Sequence, residues 1–138
     1  MAQDKYFRKE LVKELRLVEG LVKKEPSVEK KIYYFSAAYG ITSRTYRYAF
    51  SKDVLLADYV LQTVHNLFTD RVNRIKAGDP TVKIEDAHFE KLCEGLKLLA
   101  NKLEAEENIQ EPLEMLLTIA FSTSGPGNYL HEKGELKL

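Results

Sequence analysis

From Gln3 to Phe121 the apolar residues recur at intervals of three and four almost without interruption, and that spacing builds α-helices rather than strands. The cleanest run is Phe89, Leu92/Cys93, Leu96, Leu99/Ala100 and Leu103, which predicts a helix over about Glu85 to Glu106. Upstream, Phe7, Leu11, Leu15, Val18, Leu21 and Val22 predict a first helix from about Gln3 to Lys24. Asp4 is its expected N-cap, and Glu25-Pro26 ends it because the residue before proline leaves the α region. Ser27 then caps a second helix on Val28, Ile32, Phe35, Tyr39, Thr42, Tyr46 and Ala49/Phe50. The alternative breaks it at Gly40-Ile41-Thr42-Ser43, with Ser43 opening a new helix. In a continuous helix Gly40 costs about 1 kcal/mol against Ala, so a close contact or a bend is expected there.

A third helix, capped by Ser51 and running to Lys76, carries Leu56, Val60, Val64, Leu67, Phe68, Val72 and Ile75. Ala77-Gly78-Asp79-Pro80 stops it. After an extended lead-in at 81–84 and the helix over Glu85–Glu106, Pro112 belongs to the first turn of a fifth helix ending near Phe121. Short connections between such helices imply an all-α fold, an antiparallel four- to five-helix bundle with a short non-helical C-terminal tail. One domain over 1–138 is expected, its ordered core at about 3–121 and its loop and tail at 122–138.

Composition narrows the class further. With 44% hydrophobic and 30% charged residues the chain is neither disordered nor a membrane protein by composition. Its longest apolar run, Met115 to Phe121, falls far short of the roughly 20 residues that span a bilayer. Met1-Ala2-Gln3-Asp4-Lys5 has no signal-peptide core, which leads us to expect a cytoplasmic protein. Heavy use of Lys and Glu with no Trp suits a thermophile. The formal net charge of zero points to no nucleic-acid or membrane partner in bulk, although residues 1–76 are the basic part and 85–114 the acidic part.

Helix two carries the most functional information. Tyr33, Tyr34, Ile41 and Tyr48 lie opposite the Phe35 face, so the helix is apolar on two sides. Such a helix is central in its bundle or uses the second side on another molecule, and tyrosine suits interfaces because its body is apolar and its hydroxyl stays wet. These four are the interface candidates, with a homodimer as the expected assembly. The alternative is a small RNA- or DNA-associated subunit, in which Lys30, Arg44, Arg47, Tyr48 and Lys52 neutralise phosphates and stack on bases. Arg71, Arg74 and Lys76, at the far end of helix three, extend that stripe.

Catalytic chemistry has less to stand on, and no catalytic residue, cofactor or metal is assigned. Cys93 sits in a leucine stripe and reads as a small buried hydrophobe. Glu85-x-x-His88 has the spacing of a di-iron ligand pair, but neither His65 nor His131 completes a second one, so first-turn acids complementing a helix dipole are expected instead. An enzyme built around His65 and the loop Ser124–Asn128 is the remaining alternative. That loop follows a helix rather than preceding one, and Pro126 removes a donor, so it reads as a chain reversal rather than a phosphate cradle.

Overall fold

The structure, a computed structural model, describes residues 2–48 and 51–123, the first three of them by their backbone alone. The described residues form five helices: α1 (Ala2–Lys24), α2 (Val28–Tyr48), α3 (Lys52–Lys76), α4 (Asp86–Glu104) and α5 (Gln110–Phe121). Asp4 therefore lies within the first turn of α1 rather than capping it. The other starts follow the sequence signals. Ser27 Oγ accepts the Lys30 N–H at 3.4 Å, and Ser51 takes the extended N-cap conformation before α3. α4 begins one residue later than its apolar run suggests, since Glu85 is its N-cap.

Two helix ends share one device. At the end of α3 the N–H of Gly78 reaches the Ile75 carbonyl and that of Asp79 reaches Arg74, both at 3.0 Å, with Gly78 at φ +86°. At the end of α4 Glu106 and Glu107 make the equivalent bonds to Leu103 and Lys102, and Glu106 takes φ +57° although it has a side chain.

The helices pack as a ring in the order α1, α2, α3, α5, α4 and back to α1, each touching its two ring neighbours. Inside lie Leu11, Leu15, Phe35, Leu61, Phe68, Leu92, Leu96, Leu99, Leu103 and Leu116, all 2% exposed or less. Burying each such side chain contributes about 1.5–3 kcal/mol, which gives the bundle its driving force. Gly95 sets a close approach: a Cβ there would stand 2.7 Å from Leu116 Cδ2, so α4 and α5 close on each other at this point.

Three residues expected on apolar faces are exposed: Leu21 at 39%, Leu56 at 53% and Ile75 at 41%. Leu56 is about 100° around α3 from the buried Ala57, and Ile75 lies one turn beyond Arg71, the last buried residue of α3. Among the described residues no helix is long and apolar enough to cross a membrane.

Candidate functional site

α2 runs unbroken through Gly40. The close contact anticipated there is absent, because a Cβ on Gly40 would meet nothing within 4 Å. The side that faces inward carries Ile32, Phe35, Ala38, Thr42 and Thr45, all buried. One flank meets α3, where the Tyr39 and His65 rings lie 5.2 Å apart and the Thr42 hydroxyl is 2.9 Å from Asp58 Oδ1. The other flank meets α1, where Arg44 holds Glu14 at 2.9 Å.

This placement separates the four interface candidates. Tyr34 and Ile41 lie on the α1 flank with Arg44 and are half-buried against the core, so much of the second apolar side is the seam between α2 and α1. Tyr33, in contrast, is 72% exposed. Tyr48 is 55% exposed and stacks on Phe7 of α1, with ring centres 5.3 Å apart and planes within 16°. The outward surface of α2 thus reads Glu29, Lys30, Tyr33, Ala37, Gly40, Arg44, Arg47 and Tyr48, every one exposed. Two further apolar side chains border it, Leu17 at 62% and Leu21 at 39% exposure. They share with Glu14 the half of α1 turned toward α2, because positions three and seven apart lie on one helix face.

All five nucleic-acid candidates, Lys30, Arg44, Arg47, Tyr48 and Lys52, are exposed. A signal that the apolar spacing does not reveal accompanies them: from Lys30 to Lys52 the chain contains no carboxylate, yet it holds Tyr33, Tyr34, Tyr39, Tyr46 and Tyr48, five of its eight tyrosines. The second basic cluster does not extend the surface. Arg71 is buried and bonds Asp70 at 2.6 Å, Arg74 holds Asp79 at 2.8 Å, and Lys76 holds Glu29 at 2.9 Å. Each cation at the end of α3 already faces an anion.

Cys93 and the Glu85–His88 pair sit in structural settings. Burial pushes the Cys93 thiol up to about 11, with Glu19 adding to the effect, so it stays protonated and a poor nucleophile. His88 Nδ1 accepts the Glu85 backbone N–H at 2.8 Å, and Glu85 pairs with Lys83 at 2.9 Å, so this pair caps α4 rather than projecting together into the bundle. Among the described residues no three His, Cys, Asp or Glu side chains group as metal ligands. His65 packs against Tyr39 with its Nδ1 buried and unbonded, and burial holds its imidazole below the ordinary value, with Asn66 working the other way. The loop Ser124–Asn128 and His131 lie outside the described residues.

A groove of about 650 Å³ opens between the end of α1 and the starts of α2 and α4. The buried Lys31, Phe89 and Cys93 form its floor, and most of the remaining lining is Lys, Glu and Asp side chains. Lys31 has a definite task there. Pro26 has no N–H to offer the Val22 carbonyl four residues back, and Lys31 Nζ supplies the bond instead at 2.6 Å while lying 5.5 Å over the Phe89 ring. The ammonium therefore closes the C-terminal end of α1, where positive charge also complements the dipole.

Comparison with known proteins returned no matching family, no matching curated protein and no matching solved structure.

Proposed function

We propose that this chain is a non-catalytic interaction subunit that self-associates through the outward face of α2. The observation that carries the reading is the exposure of Tyr33, at 72%, on a helix whose two neighbours leave that side uncovered. A tyrosine ring removed from water at an interface is among the strongest single contributors to binding, and its hydroxyl is tolerated at the wet margin. The small residues Ala37 and Gly40 next to it let a second backbone come near. Leu17 and Leu21 widen the apolar area on the α1 side. The non-catalytic part rests on the tasks already assigned to Lys31 and His88 and on the buried, protonated thiol of Cys93. A reducing cytoplasmic setting suits the lone thiol. Light scattering across a concentration series tests the reading: a dimer that dissociates on dilution is expected, and replacing Tyr33 by Ala shifts the series toward monomer. A monomer at every concentration overturns it.

A second reading is favoured by the absence of carboxylates between Lys30 and Lys52. In it, Lys30, Arg44, Arg47 and Lys52 contact phosphates and Tyr48 stacks on an unpaired base of RNA or DNA. Titration with single-stranded RNA at two salt concentrations decides it. Phosphate contacts release counterions, so binding must weaken as salt rises, and binding indifferent to salt removes this reading.

A further inference from the structure

Resting on the self-association proposed above, we infer its geometry: α2 pairs antiparallel with α2 of a second copy, crossing beside Ala37 and Gly40, with Glu29 opposite Arg47 of the other copy. The charges on α2 select this direction. Its one carboxylate, Glu29, lies in the first turn, and its exposed arginines, Arg44 and Arg47, lie at the other end. A parallel pairing sets arginine against arginine along the last two turns. An antiparallel pairing sets Glu29 against Arg47 twice and opposes the two helix dipoles as well.

The helical period places these residues where the pairing needs them. At 100° per residue, Glu29, Tyr33, Gly40 and Arg47 fall within about 40° of one another around α2 and form one line along its exposed side. A two-fold axis that brings residue 29 over residue 47 passes beside Ala38, so Ser36, Ala37 and Gly40 surround the crossing. Nothing stands within 4 Å of a Cβ built on Gly40, so the second helix has room to approach. The same operation sets Tyr33 beside Arg44 of the second copy and Lys30 beside Tyr48, each a cation within reach of the electron-rich face of a ring. Lys30 and Tyr48 both lie about 80° from Gly40 on the α1 flank, which is why one symmetry operation serves both.

Two of these groups already have a partner within their own copy, and both pairs are solvated: Arg44 holds Glu14 at 2.9 Å with its side chain 60% exposed. Lys76 holds one oxygen of Glu29, with both side chains about 60% exposed, and such solvated pairs exchange at little cost. Leu17 and Leu21 of each α1 border the same flank and are covered by the opposite copy. The contact surface is therefore the α1–α2 layer, with α2 at its centre and Leu17 at its margin.

Cross-linking tests the register, with Cys93 replaced by Ala to leave one thiol per chain. Chains carrying Glu29→Cys mixed with chains carrying Arg47→Cys form a disulfide-linked pair on mild oxidation, and neither preparation does so alone. Charge exchange supplies a second readout. Glu29→Arg or Arg47→Glu alone weakens the dimer about tenfold, from two symmetry-related pairs of somewhat under 1 kcal/mol each, and the double variant restores it. A dimer that links Arg47→Cys chains to each other, or that is indifferent to both charge changes, overturns the antiparallel register while leaving self-association standing. A wild-type chain that stays monomeric overturns both.

Discussion

Glu106 occupies the position that Gly78 fills at the end of α3, with the same left-handed backbone and the same pair of terminal hydrogen bonds. A residue with a Cβ bears a cost of about 1–2 kcal/mol in that conformation, and glycine bears almost none. Glu106→Gly is therefore expected to raise unfolding stability by about 1 kcal/mol, measured as a higher urea midpoint with an unchanged slope. His65 gives the opposite kind of prediction, in pH. Burial holds its imidazole below 6.5 in the folded protein, so the unfolded chain takes up the proton first. Stability from this group is complete above pH 6.5 and falls as the pH drops from there through the folded value. Replacing His65 by Gln flattens the difference between stability at pH 7.5 and at pH 5.5, as followed by thermal melts. An unchanged difference assigns the acid sensitivity to other groups.

At the scale of the helix, α2 shows where sequence patterning is decisive and where it is not. Its start at Ser27, its unbroken course through Gly40 and its buried line through Phe35 are all legible, because caps and period are local properties of the chain. The fates of Tyr34 and Tyr33 are not. They are adjacent in sequence, yet one is taken into the α1 seam and the other left in water, since only the positions of both neighbours decide which flank is covered. For the same reason Arg71 reads as a surface cation by composition but is 9% exposed. Gly40 allows a direct measurement at this scale. With open space around its missing side chain, Gly40→Ala should stabilise the monomer by about 1 kcal/mol by lowering the entropy lost when α2 forms. Denaturation at low protein concentration isolates this effect from any association. A loss of stability there shows that glycine is needed for a backbone shape that the free helix does not have.

Across the whole molecule, the fit between α4 and α5 depends on one absent methyl group. Gly95→Ala places a Cβ 2.7 Å from the fully buried Leu116, and a packed interior yields only by moving a rotamer or a helix. The expected cost is about 1–3 kcal/mol, read from the denaturant midpoint. Combining it with Leu116→Ala should return part of that loss through a favourable coupling, since the smaller side chain vacates the space. The helix order around the ring was not legible from spacing, because every amphipathic helix here offers an apolar stripe and none names its neighbour. That order has a consequence for synthesis. The first helix meets the fourth, so the closing seam joins segments made far apart in time. Until the fourth helix has emerged, the Arg16 flank of α1 has no partner, and α1 to α3 present an open layer whose apolar side faces water.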